Sequence, residues 1–166
     1  IPRLMDKDKA EEAQKTGLIT VPFLDLYVYF AVTISENPQE GELISYCIDQ
    51  RIIDESGLEI DEIMQVAKEN ASKDITVESI EDVLGLSDDS IQNTFYVASN
   101  RSRHYGAYML ILDDFLKEQE SQLNSFHIIP SSCHELLLIP DSLGIKTEEL
   151  YSMLDDVNST IVQPKD

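Results

Sequence analysis

Apolar and polar residues alternate most clearly between Tyr27 and Ile34. Val28, Phe30, Val32 and Ile34 share one face there, and Tyr27, Tyr29, Ala31 and Thr33 share the other. A period of two over this length predicts a β-strand, and β-branched and aromatic residues on both faces predict a strand covered on both sides or broadly on one. Turn chemistry at Glu36-Asn37-Pro38-Gln39-Glu40-Gly41 and a return strand over 42–48 complete a hairpin. Ahead of it, Arg3 to Met5 reads as a strand end, Asp6 opens a short helix stopped at Gly17, and Val21-Pro22 breaks the chain. Ile60, Ile63, Met64, Ala67 and Ala71 then recur at helical spacing. A shorter helical piece over 76–84 follows, with Thr76 as N-cap, Gly85 as stop and an acidic loop over 86–90 beyond it.

The second half follows a similar plan. A strand over 95–98, a polar connection over 100–106 and an apolar run over 107–112 that suits a buried strand lead to Asp113-Asp114. These acids suit the positive end of a helix whose stripe is Leu112, Phe115, Leu116 and Leu123. Two apolar strands, 126–129 and 136–139, flank the polar knot Pro130-Ser131-Ser132-Cys133-His134-Glu135. Thr147 then caps a final helix carrying Leu150, Met153, Leu154, Val157 and Ile161. Gly57-Leu58-Glu59-Ile60-Asp61-Glu62-Ile63 is echoed by Gly144-Ile145-Lys146-Thr147-Glu148-Glu149-Leu150. Helices alternating with hairpins predict an α+β fold: a largely antiparallel sheet built from β-hairpins, with amphipathic helices packed on it in repeated strand-strand-helix units. The expected organisation is one domain over 1–166 with half-repeats at 21–85 and 91–162.

Composition narrows the function classes. With 42% hydrophobic residues in 166, the chain can bury a sizeable core. No apolar run reaches the length of a membrane span, so no membrane is expected. Against 32 acidic residues stand 12 Lys and Arg, a net charge of -20 that repels phosphate backbones, so no nucleic acid is expected as a ligand. Display of acids as a DNA mimic is the remote reading of the same number. Cys47 and Cys133 are too few for a disulfide framework, and Cys47 reads as a small core residue. The Asn-x-Ser/Thr triplets at Asn70, Asn100 and Asn158 read as accidents of composition, which makes cytoplasm the expected location. The ends, Ile1-Pro2-Arg3 and Gln163-Pro164-Lys165-Asp166, read as cuts through a longer polypeptide.

Several stretches carry a resemblance: Arg3-Leu4-Met5, Val21-Pro22-Phe23-Leu24-Asp25-Leu26, Tyr105-Gly106-Ala107, Val157-Asn158-Ser159-Thr160 and, above all, Ile129-Pro130-Ser131-Ser132-Cys133-His134-Glu135-Leu136-Leu137-Leu138-Ile139-Pro140. The chain resembles a bacterial domain family of unknown function found mostly in gut Firmicutes, over most of its length. Cys133 stands where the family pattern implies an apolar residue. The resemblance implies longer members at both ends and carries no activity, substrate or cofactor.

Ser131, Ser132, Cys133, His134 and Glu135 are the catalytic candidates, because a nucleophile needs a base within reach and a group to orient it. Neighbours at a hairpin tip point in alternate directions, and no Gly-x-Ser-x-Gly elbow is present, so turn chemistry accounts for the same residues. A metal could draw on Cys47, His104, His127, Cys133, His134 and Glu135, yet their spacing matches no known ligand pattern, and neither metal nor cofactor is expected. Arg101, Arg103 and His104 form the one basic cluster and are candidates for holding an anion, with pairing to surrounding acids as the alternative. The short acidic runs lack the order of a calcium loop. The leading expectation is a non-catalytic binding or protein-interaction module. The runner-up is a small hydrolase or transferase using Ser131, Ser132 or Cys133 with His134.

Overall fold

The structure is a computed structural model that describes residues 1–37, 42–85, 94–146 and 148–152. The fold is α+β with antiparallel sheets, as the alternation of hairpins and helices predicts. It divides into two compact units, Ile1–Asp74 and Ile75–Asp166.

In the first unit the strands are β1 (Pro2–Met5), β2 (Thr20–Phe23), β3 (Leu26–Asn37) and β4 (Glu42–Cys47), with helices α1 (Lys7–Gln14), α2 (Gln50–Ser56) and α3 (Ile60–Ala71). The twelve-residue β3 organises the sheet. Its first half lies between β1 and β2, with Val28 opposite both Leu4 and Val21, and its second half pairs with β4. Ala31 exchanges both backbone hydrogen bonds with Ile1 on the β1 side, whereas the Phe30 carbonyl accepts the Ile48 N–H. Successive residues of a strand bond to opposite sides, so β4 takes over from β2 along one edge of β3. The other edge has no partner beyond Ala31 among the described residues.

Pro22 does not break the chain as expected; it lies within β2, opposite Tyr27. An outer strand tolerates a missing N–H on its open side. Leu24, at φ 54, and Asp25 turn the chain tightly into β3. Burial on both faces of β3 holds from Val28 to Ala31 and ends there, since Val32 and Ile34 are exposed. Cys47, expected in the core, is exposed on β4, an outer strand whose alternation does not translate into burial. Helix α3 forms where the 3.6-residue period places it, burying Ile63, Ala67 and Ala71. Helix α2 has no buried residue and so no apolar stripe to read; its N-cap is Asp49, which accepts the Ile52 N–H at 3.1 Å.

The second unit carries β5 (Thr76–Ser79), α4 (Ile80–Leu84), β6 (Tyr96–Ser99), a 3-10 helix (Gly106–Ile111), α5 (Asp113–Leu123), β7 (Phe126–Pro130), β8 (Leu136–Pro140) and a second 3-10 turn (Asp141–Leu143). The antiparallel sheet runs β5-β6-β8-β7. Leu136, Leu138 and Ile139 on the central β8 are almost wholly buried. Thr76 does not cap a helix: it begins β5 and donates its hydroxyl to the Ser99 carbonyl, while Ser79 caps α4. The run over 107–112 is a buried 3-10 helix instead of a strand. A continuously apolar segment has no period that tells the two apart. The expected loop over 86–90, the turn residues 38–41, Thr147 and the final helix beyond 152 lie outside the described residues.

Candidate functional site

The residues the sequence singles out fall on two segments that the fold brings together in the second unit. β6 ends at Ser99 and delivers the loop over 100–105, and the β7–β8 hairpin delivers the knot over 131–135. The Asn100 side chain shapes the loop. Its Oδ1 accepts the His104 N–H at 3.0 Å, and its Nδ2 donates to the His104 carbonyl at 2.8 Å. Arg103 and Tyr105 take left-handed conformations, φ 54 and 58, which cost a non-glycine residue free energy unless the surroundings hold them there. The knot supplies the restraint: Tyr105 donates its N–H to Nδ1 of His134 at 3.1 Å, Ser99 donates its hydroxyl to the His134 carbonyl at 2.8 Å, and Ala107 donates its N–H to the Cys133 carbonyl at 3.3 Å. Gly106 permits this approach. A Cβ there would stand 2.5 Å from both the His134 carbonyl oxygen and Ser99 Oγ.

This geometry constrains the chemistry of each candidate. Because Nδ1 of His134 accepts a backbone N–H, the ring's proton sits on Nε2, and no lone pair is left to act as base toward a hydroxyl. Ser131, buried, donates to Glu135 at 3.1 Å, and the Ser132 hydroxyl accepts the His134 N–H at 3.0 Å, so both hydroxyls serve the turn itself. Cys133 is half-buried at the tip of the knot, and its carbonyl accepts the Ala107 N–H. Of the anion-binding candidates, Arg103 pairs with Glu78 on β5, Arg101 is exposed, and Nδ1 of His104 lies 2.7 Å from the Ser102 carbonyl. The His104 ring stands edge-on to His134, with centroids 5.9 Å apart. His127 is elsewhere, on β7, where its Nε2 is 3.2 Å from Asp141. No group of three His, Cys, Asp or Glu side chains among the described residues could hold a metal ion.

A second feature, in the first unit, escaped the sequence reading. Between α3 and the open edge of β3 lies a groove of about 390 Å³, walled by Phe30, Val32, Ile48, Ile63, Val66 and Ala67, with Glu62 and Asn70 at its polar margin. Around it are exposed Val32, Ile44, Tyr46, Leu58 and Val66, with Ile44 and Val66 each 55% accessible. Val32 sits opposite Tyr46 across the β3–β4 ladder, and Ile44 follows two residues along, so the three share a face. One signal was present in the chain: the apolar alternation of β3 runs from Tyr27 to Ile34, past Phe30, where the register with β1 ends.

Compared with known proteins, the chain over residues 1–166 matches the family described as a family of unknown function, DUF5688. No curated protein and no solved structure matches it.

Proposed function

The chain belongs to this family of unknown function, DUF5688, and we propose that it serves as a non-catalytic protein-interaction module in the bacterial cytoplasm. The observation that carries the reading is the gathering of exposed Val32, Ile44, Tyr46, Leu58 and Val66 around the groove beside α3. Contiguous apolar surface of this kind costs solubility and marks binding faces. The partner we assign is a protein segment whose apolar side chains enter the groove and whose flanks carry Lys or Arg. Glu62 lines the groove, and the net charge is -20. Basic flanks would be steered onto such a surface. Against the alternative, a hydrolase using Ser131, Ser132 or Cys133 with His134, stand the hydrogen bonds that keep Ser131, Ser132 and His134 within the turn.

Titration of isotope-labelled protein with a synthetic peptide of alternating valines and leucines between lysine pairs tests the reading. Amide shifts confined to the neighbourhood of Val32, Tyr46 and Val66, weakened by salt and absent with glutamate-flanked peptide, are the expected result. Unperturbed amides there overturn it. So does self-association through this face in sedimentation, since the occupant is then a second copy.

A further inference from the structure

The groove beside α3 reaches the edge of β3 as well as its face. Ala31 and Thr33 line it together with Phe30 and Val32, although alternation along the strand turns the side chains of the two pairs to opposite faces. The edge is open there. Pro2 is the last β1 residue in register, opposite Phe30, and Ala31 exchanges its two backbone hydrogen bonds with Ile1. Residues two apart bond to the same side of a strand, so the N–H and C=O of Thr33 point out from that edge, where no strand pairs with them among the described residues.

Edges of this kind are ordinarily blunted with charges, proline or very short strands. Val32-Thr33-Ile34-Ser35 has neither charge nor proline, all four residues are exposed, and the bulge between Thr33 and Ser35 comes only after Thr33. A helix laid in the groove would leave the Thr33 groups to water. An extended chain lying in line with β1 pairs with them and sends every second side chain toward Val32, Ile63 and Val66, with a basic flank at Glu62.

We propose that the partner segment binds as a strand added to the open edge of β3 at Thr33. The inference rests on the protein-interaction reading and supplies its mode: backbone hydrogen bonds hold the segment, and alternate apolar side chains fill the groove. In such a pairing the residue opposite Val32 faces the groove and turns its N–H away from β3, whereas the residue opposite Thr33 turns its N–H toward β3.

The probe is a lysine-flanked peptide of alternating valine and threonine, which has one apolar side, titrated into the isotope-labelled full chain. Methylation of its threonine amide nitrogens should weaken binding about tenfold or more, equivalent to about 1.4 kcal/mol, while methylation of its valine nitrogens leaves binding unchanged. Thr33→Pro, which removes the donor where an edge strand tolerates proline, should weaken the parent peptide similarly, and the Thr33 amide should exchange more slowly in the complex. Equal affinity of the two methylated forms, the reverse order, or helical circular dichroism gained on binding overturns strand addition and leaves the groove reading standing. An unmodified peptide that perturbs no amide around the groove overturns both. Slower Thr33 exchange that grows with the protein's own concentration gives the edge to a second copy and overturns the proposal. If Thr33→Pro fails to fold, the two methylated peptides decide.

Discussion

The two units treat polar and apolar groups in opposite ways. In the first, large apolar side chains are left in water around the groove, and Arg3 is the one fully buried polar residue described. In the second, Ser99, Asn100, Gln119 and Ser131 are all buried, while Leu84 and Tyr151 are the large apolar residues left exposed among those described. Three of those four buried polar residues are tied into hydrogen bonds that fix the loop over 100–105 and the knot over 131–135. A buried and satisfied polar network fixes one backbone arrangement at considerable cost if any member is removed. Exposed apolar surface contributes little to folding and is free to serve a partner. The reactive-looking residues therefore sit where structure is being specified, and the unremarkable ones are the apolar side chains left in water around the groove.

The sharpest way to break this contrast is at Gly106. Gly106→Ala brings a Cβ to 2.5 Å from the His134 carbonyl oxygen and 2.9 Å from the Asn100 nitrogen, backbone atoms that cannot swing aside. Urea denaturation should show a loss of about 3 kcal/mol, in the upper range for overpacking. Next comes His134→Ala, which strips the acceptor from the Tyr105 N–H. About 2 kcal/mol should be lost, with faster hydrogen exchange at Tyr105, whereas a chain stable to this change would deny the bracing role. On the other side of the comparison, Val66→Lys should change stability by no more than about 0.5 kcal/mol, because the side chain is already mostly in water.

The smallest effect lies at Asp49, whose carboxyl is held below its ordinary range first by the Arg51 guanidinium and then by the Ile52 N–H. A depressed carboxyl stabilises the fold above the ordinary carboxylate range and loses that contribution as pH falls through its lowered value. Acidification into that window should fray α2 first, read as early amide exchange at Ile52 and Ile53. Asp49→Asn should remove the pH dependence and leave α3 unchanged.

Much of the fold was legible because its hairpins and helices each have a clear period: 28 to 34 for β3, Ile60 to Ala71 for α3, and the two apolar ladders around the knot. The echo of Gly57 and Gly144 also has a physical basis. Both glycines are left-handed helix stops, at φ 67 and 65, and two residues later a backbone N–H donates to a glutamate three positions on: Glu59 to Glu62, and Lys146 to Glu149. What sequence concealed was long-range. The 3-10 helix over Gly106–Ile111 has no period, and the pairing of Tyr105 with His134 spans 29 residues. The groove depends on where β1 and β2 end along β3, which no local pattern encodes.

The division of roles is tested most directly by the dissociation constant of the lysine-flanked peptide for two variants side by side. Val66→Lys should weaken binding about tenfold or more, placing a cation against the peptide's own, while His134→Ala, under conditions where the chain remains folded, should bind as the unaltered chain does. Undiminished affinity in Val66→Lys, or loss of affinity in folded His134→Ala, would place the working surface at the polar knot and contradict the account.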